Sequence, residues 1–303
     1  MIANPKISIV ILGFNRKDDI REVLNQLRHQ TGANFETIVV DNNSTDGSPN
    51  MIEEEFNEVQ LLRLSQNKGI ASYNEGFSRA KGEIIVVLNN DSYPALDALD
   101  KIANAFSHDT SLGILQGKII NINTNETFYP VGKEADSQEI MEWYDFVVAG
   151  AAIRKQLIEK VGHFPKSVFL FGAEQDLSLR AMAAGYSIKY FPQIKFYHIH
   201  KPAYLPSIID TTYYHFRSYY WLIWRRYPIL KAMNSTIGLF LILIRRSFKE
   251  RKIIVHLKAI FGALWNLPLI IKERKPLKNK CIKKYEKRAG SNALTDIIKR
   301  KLI

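Results

Sequence analysis

What this chain lacks narrows its chemistry first. Cys281 is its only cysteine in 303 residues, which excludes an intramolecular disulfide and fits a reducing compartment. The start, Met1-Ile2-Ala3-Asn4-Pro5-Lys6, holds no basic segment followed by a long apolar run, so no secretory signal is expected and the chain is expected to stay in the cytosol. Long apolar runs are missing too. Ile229 to Ile244 and Ile253 to Ile271 come nearest, but lysine, asparagine, histidine or proline interrupts both, and a spanning helix wants roughly 20 mostly uncharged apolar residues. Helices lying in a membrane interface fit these two stretches better. Also absent is any G-x-G-x-x-G or G-x-x-x-x-G-K-[ST] after the first apolar strand. Gly13-Phe14-Asn15-Arg16 stands there instead, which disfavours a nicotinamide dehydrogenase or a P-loop phosphotransferase. Bound phosphates would need a metal and cationic side chains.

Acid is scarce in one region only. Residues 1–200 hold 19 Lys+Arg against 25 Asp+Glu, whereas residues 201–303 hold 23 against 5. The basicity therefore belongs to a tail module and points to an anionic surface such as membrane lipid or nucleic acid. The front two-thirds require no nucleic-acid partner. Aromatic residues interleave with arginine at the start of the tail, from Tyr213, Tyr214 and Phe216 to Arg217, Tyr219, Tyr220, Trp221, Trp224, Arg225 and Arg226.

The front part reads as α/β. Ile7 to Leu12 is a short apolar run of the kind that forms a buried parallel strand. Asp18 to His29 carries Ile20, Val23, Leu24 and Leu27 on one helical face. A second strand, Glu36 to Val40, ends at Asp41, and a third, Val59 to Leu64, follows a helix near Pro49 to Phe56. A helix over Ile70 to Lys81 leads to the strand Glu83 to Leu88. This alternation predicts a doubly wound, mostly parallel sheet with ligands at the carboxyl ends of the strands. Asp41 and Asp91 both fall at such ends. Residues 112–149 read as strands and loops, and a helix is expected after Gly150.

Four groups of residues could carry chemistry. Asn89-Asn90-Asp91 closes an apolar strand with two amides and a carboxylate, hard oxygen ligands suited to Mg2+ or Mn2+ bridging a diphosphate; its plain alternative is a polar turn. Asp41, heading Asn42-Asn43-Ser44-Thr45-Asp46-Gly47, could accept from a nucleobase or ribose; the rest of that run suits an Asx-turn and a helix cap at Ser48. Glu174 and Asp176 open an amphipathic helix. The helix dipole and an i,i+4 pair with Arg180 account for Asp176. Glu174 is less well explained so, and a carboxylate there could deprotonate an acceptor hydroxyl. His198 and His200 share one strand face and could ligate a metal, or could be structural.

Six segments taken together resemble glycosyltransferase family 2. They are Ile9 to Leu12 before Asn15, Val39 to Ser48, Asn67-Lys68-Gly69, Asn74-Glu75-Gly76, Leu88-Asn89-Asn90-Asp91 and Glu174-Gln175-Asp176-Leu177, in order over roughly residues 6–201. The resemblance implies a GT-A fold and an inverting, single-displacement transfer from a nucleotide sugar. It implies a donor site of Asn15, Asp41, Asn43, Lys68, Asn89, Asn90 and Asp91, with Asp41 on the base. Asp91 would be the last acid of the family's D-x-D motif and would hold Mg2+ or Mn2+ with His198. Glu174 matches the second acid of the E-D-x-D pattern and would be the general base, with Asp176 the other candidate. This chain departs from the family at Asn89, where the first D-x-D aspartate stands, and at Ala173, before Glu174.

The aromatic segment from Tyr213 to Tyr227 also looks like the tail of a bacterial rhamnosyltransferase-like subgroup. That likeness suggests deoxythymidine-diphosphate-rhamnose or a UDP-hexose as donor and a lipid-linked oligosaccharide as acceptor, in surface polysaccharide synthesis. The expected division is a catalytic domain over residues 1–205 and a helical, basic, membrane-associating region over residues 206–303, peripheral at the inner face of the cytoplasmic membrane. The competing reading is a catalytically inactive GT-A-like protein that binds lipid or nucleic acid. A nucleotidyltransferase is disfavoured because it usually carries a glycine-rich basic loop after the first strand.

Overall fold

In the computed structural model, residues 6–199, 208–250 and 253–289 are described. His200 and the expected boundary at residues 205 and 206 lie outside them. From the N-terminus run β1 (Ile7–Gly13), α1 (Lys17–Arg28), β2 (Phe35–Asp41), α2 (Ser48–Glu55), β3 (Gln60–Arg63), a 3-10 turn (Gly69–Ser72), α3 (Tyr73–Arg79) and β4 (Ile84–Asn89). Next come β5 (Ser92–Pro94), α4 (Ala98–His108), β6 (Leu112–Asn121), β7 (Thr127–Tyr129), a second 3-10 turn (Gly132–Asp136), β8 (Met141–Glu142), β9 (Ala151–Arg154), α5 (Lys155–Val161), α6 (Ala173–Ala183) and β10 (Ser187–His198). The basic tail supplies α7 (Ile208–Arg226), α8 (Ile229–Glu250), α9 (Ile253–Trp265), α10 (Leu267–Lys272) and α11 (Asn279–Arg288).

The strands form one sheet in the order β3-β2-β1-β4-β9-β6-β10-β5, with β7 on β6 and β8 on β10. Strands β3, β2, β1 and β4 are parallel, as the βαβ pattern requires. Beyond β4 the expected mostly parallel sheet becomes mixed, with β10 still parallel to β6. There β9 runs antiparallel to both β4 and β6, and β5, β7 and β8 are antiparallel to their partners. The expected helix after Gly150 begins only at Lys155, because Ala151-Ala152-Ile153-Arg154 is β9. Two alanines carry no strand signal of their own; burial between β4 and β6 decides the matter.

Alternate residues of the central strands build two cores. On one face Ile9, Ile11, Val39, Val86 and Leu88 pack with α1, α2 and α4. On the other, Val10, Ile38, Val40, Ile85 and Val87 pack with α3, α5 and α6, and the same cluster continues without a break into Phe216, Tyr219, Trp221, Ala259 and Tyr285 of the tail. The tail helices therefore lie over the face from which α6 presents its carboxylates.

Candidate active site

The sheet changes direction of winding between β1 and β4, which are hydrogen-bonded neighbours. Leu12 pairs with Asn89, and Gly13 pairs with Asp41 on the other side. The crevice at such a switch point, outside the carboxyl ends, is where an open α/β sheet binds its ligand. Register alone thus brings Asn15, Arg16, Asp41 and Asn89-Asn90-Asp91 to one rim.

The loops of that rim are tied to each other. Asn15, in a left-handed conformation at φ 48°, donates its backbone N–H to Ser44 Oγ at 3.0 Å, and its Oδ1 accepts from Thr45 N–H at 2.8 Å. Asp41 is buried, and its Oδ2 accepts from Ser44 N–H at 3.0 Å. Asn42 gathers the third loop. Its Oδ1 accepts from Lys68 N–H at 3.0 Å and from Ser72 Oγ at 2.6 Å, while its Nδ2 donates to Asn67 Oδ1 at 2.7 Å. Asn43, at φ 68°, and Lys68 are exposed at the mouth, where Lys68 Nζ lies 3.4 Å from Glu75 Oε1.

Asp91 is the charged floor. Its backbone carbonyl accepts from Ile199 N–H at 2.7 Å, pinning the loop after β4 to the end of β10. His198 Nε2 consequently lies 3.3 Å from Asp91 Oδ1. Phe128 stacks on the His198 ring, centroids 4.7 Å apart. The other carboxylate oxygen, Oδ2, accepts a charged hydrogen bond from Arg16 NH1. Asn89 accepts through Oδ1 from the Tyr73 hydroxyl at 3.1 Å, and that hydroxyl also donates to Leu88 O at 2.8 Å. Asn90 is buried beside it.

Glu174, on α6, lies on the same face of the sheet as Tyr73 of α3. Burial holds the Tyr73 pKa well above the ordinary phenol value, and the negative charges of Glu174 and then Asp91 push it further in the same direction, so both acids act on one point. Backbone strain places Glu174. Phe171 sits at φ 60° and Gly172 at φ 84° immediately before α6, the former a rare state for a bulky residue and one that clusters at functional sites. Helix α7 holds this corner: Phe171 stacks on His215 at 3.6 Å between centroids, and Ser218 Oγ donates to Leu170 O at 2.9 Å. A Cβ on Gly172 would stand 3.1 Å from Ser218 Cβ, so the corner needs glycine for shape as well as for φ.

Asp176 has other partners. Two residues along a helix is about 200° around its axis, so Asp176 leaves the Glu174 side. It is fully buried; Arg180 Nε donates to its Oδ2 at 2.7 Å, Arg226 Nε to Oδ1 at 2.7 Å and Arg226 NH2 to Oδ2 at 3.1 Å. Burial opposes its charge, but Arg180, Arg226 and Arg225 outweigh that and hold its pKa below the usual carboxylate value.

Sequence reasoning did not single out Arg16, Tyr73, Asp145 or Tyr219. Asp145 is buried, accepts from Phe146 N–H at 2.8 Å and takes a hydrogen bond from Gln175 Nε2. Burial raises the pKa of the Tyr219 hydroxyl, with Asp145 and Glu174 adding to it. An acid inside the aromatic run from Trp143 to Phe146 was the available sign. Arg16 and Tyr73 offered none, since their meaning depends on the register of β1 against β4.

A model of glycosyl transferase family 2 matches residues 8–172, more than half of the chain. The chain belongs to glycosyl transferase family 2. It is similar to the probable glycosyltransferase YdaM of Bacillus subtilis, 26% identical over 208 residues that cover 62% of this chain and 49% of that protein. A poly(ribitol-phosphate) beta-glucosyltransferase of Bacillus spizizenii is 36% identical over 125 residues, 39% of this chain and 20% of that one. The chain thus spans about half the length of the first relative and a fifth of the second. Among solved structures, TarS residues 1–349 of S. aureus in complex with UDP-GlcNAc superposes with a TM-score of 0.58 at 20% identity, over 72% of this chain and 66% of that one. That likeness bears on the fold, which is GT-A.

Proposed function

We propose that this family 2 protein moves a sugar, rhamnose or a hexose, from a nucleoside-diphosphate donor to a hydroxyl of a lipid-linked glycan, inverting the anomeric centre. The carrying observation is the cluster at the carboxyl ends of β1 and β4, where Asp91 takes Arg16 on Oδ2 and has His198 Nε2 3.3 Å from Oδ1. In this reading Asp41 receives the base, Asn15 and Asn42 keep the loops of the rim in place, and Asn43, Lys68, Asn89 and Asn90 line the donor. A UDP-hexose is favoured by the names of two similar proteins, one a glucosyltransferase and one bound to UDP-GlcNAc.

Asp91 and His198 offer a carboxylate oxygen and an imidazole nitrogen side by side, a fitting donor pair for Mg2+ or Mn2+. Among the described residues no three His, Cys, Asp or Glu side chains gather for a metal, so diphosphate oxygens and water would complete the shell. The ion, when bound, supplies positive charge to the departing diphosphate. Arg16 shares Asp91 and supplies a second positive group at the same rim. Glu174 takes the proton from the attacking hydroxyl as its oxygen bonds to the anomeric carbon and the bond to the diphosphate breaks. Asp176 positions α6 and is not in contact with substrate. The acceptor is carried by a lipid, and the site works at the inner face of the cytoplasmic membrane.

Calorimetric titration with UDP-glucose, UDP-GlcNAc and dTDP-rhamnose, each with Mn2+ and with chelator, tests the reading. Binding of at least one should require Mn2+ and disappear in Asp91→Ala. Unchanged binding by that variant would remove the metal assignment, and binding of none would remove the donor class.

A further inference from the structure

Helix α8 is apolar on two opposite sides. Ala232, Leu239 and Leu243 are buried against the core. On the far side Leu230, Met233, Ile237, Leu241, Ile244 and Phe248 recur at steps of three or four residues and are 50–74% exposed. A helix of an ordinary soluble surface puts polar residues there. Helix α9 repeats the arrangement: Ala259 and Ala263 are fully buried, while Ile254, Leu257, Phe261 and Trp265 are 58–73% exposed. Both helices pack on α7 and touch each other, so the two bare stripes belong to one unit. Scattered surface leucines need no explanation, but two adjoining apolar stripes of this length mark an interaction surface.

The charge around the stripes selects the occupant. From Ile229 to Lys272 the only acidic residue is Glu250, whereas Arg245, Lys258 and Lys272 are exposed. A second copy of this chain meeting the same face would set those cations against their equivalents. Headgroups of anionic lipid would accept them, with the long side chains reaching out of the apolar layer. Among the described residues no helix is long and apolar enough to cross a membrane, which leaves helices lying along its surface.

We propose that α8 and α9 together form the membrane-docking face of the protein, both helices lying in the plane of an anionic leaflet with Phe248, Phe261 and Trp265 among the acyl chains and Arg245, Lys258 and Lys272 at the phosphates. This deepens the functional reading, on which it rests only for its purpose of bringing the site to a lipid-linked acceptor. The residues inserted are not those of the donor site.

The full-length chain is floated with vesicles of phosphatidylcholine and with vesicles that also contain phosphatidylglycerol, and nucleotide-sugar binding is measured in parallel. Wild type should float with the anionic vesicles and lose roughly tenfold of that binding on neutral ones or at high salt. Leu241→Glu with Phe261→Glu should remain unbound while keeping wild-type circular dichroism and donor affinity. Arg245→Gln with Lys258→Gln, which leaves the stripes intact, should weaken binding to anionic vesicles only. The proposal falls if wild type ignores anionic vesicles, if the Leu241 and Phe261 variant still floats, or if that variant's effect is to split a dimer seen by light scattering without lipid. Failure of donor binding with flotation intact would instead count against the transferase reading alone.

Discussion

Glu174 and Asp176 stand two residues apart on one helix, and their surroundings divide the labour. Asp176 spends its oxygens on Arg180 and Arg226, and a carboxylate so held below its usual pKa is a poor proton acceptor. Glu174 sits where Tyr73 and Tyr219 feel its charge. Glu174→Gln, nearly the same shape, should therefore lower kcat by about 10²–10⁴ while leaving the donor Kd within about twofold. Stopped assays of product formation beside calorimetry check this; equal loss of donor affinity would remove Glu174 from the base role. Arg16 belongs to the same scale. A guanidinium on Oδ2 and a divalent cation at Oδ1 would share the single charge of Asp91, so Arg16→Gln should tighten Mn2+ binding by roughly tenfold in the absence of donor, on the scale of a charge-assisted hydrogen bond. Looser or unchanged Mn2+ binding, measured by electron paramagnetic resonance, would contradict that.

Among the elements, α6 is fastened by charge more than by an apolar stripe. Its residues from Ala173 to Met182 are all buried, and Asp176 joins it to α7 through Arg226. Asp176→Asn would leave two buried guanidinium groups short of a counter-charge and should cost about 3–5 kcal/mol in a urea melt. A loss under about 1 kcal/mol would mean that the cluster relaxes to solvent. This junction also shows what the sequence could and could not reveal. The parallel half was legible because each apolar strand alternates with an amphipathic helix, and Asn89-Asn90-Asp91 announced itself by breaking such a strand with three polar residues. Strand β9 was hidden because Ala151 and Ala152 have no preference that outweighs their surroundings. The Arg180 partner of Asp176 was visible at helical spacing. Arg226 was not, since fifty residues separate the pair and only tertiary packing brings them together.

For the whole molecule, the acidic front and basic tail do not act as two bare fields, since ion pairs cross the fold. Arg226 reaches Asp176 and Arg288 reaches Glu142 in this way, and within the front Lys189 Nζ donates to Asp109 Oδ2 at 2.8 Å. Its hydrogen bond, with that from Ser111, lowers the Asp109 pKa to about 2. A depressed folded-state pKa contributes stability that is fully present above the unfolded value of about 4 and is lost as pH falls toward about 2. Allowing for partial exposure, the contribution is about 1–2 kcal/mol. Asp109→Asn should cost that amount at neutral pH, make no difference at a pH of about 2, and so flatten the acid limb of the stability curve. An acid limb of unchanged slope would show that other carboxylates govern it.

The three guanidinium groups around Asp176 come from both parts of the chain, Arg180 from the front and Arg225 and Arg226 from the tail. A lineage that exchanged this tail for another by recombination would inherit a buried aspartate with a single neighbouring cation. Only tails that bring arginines to the same place could be accepted, so front and tail are constrained to descend together.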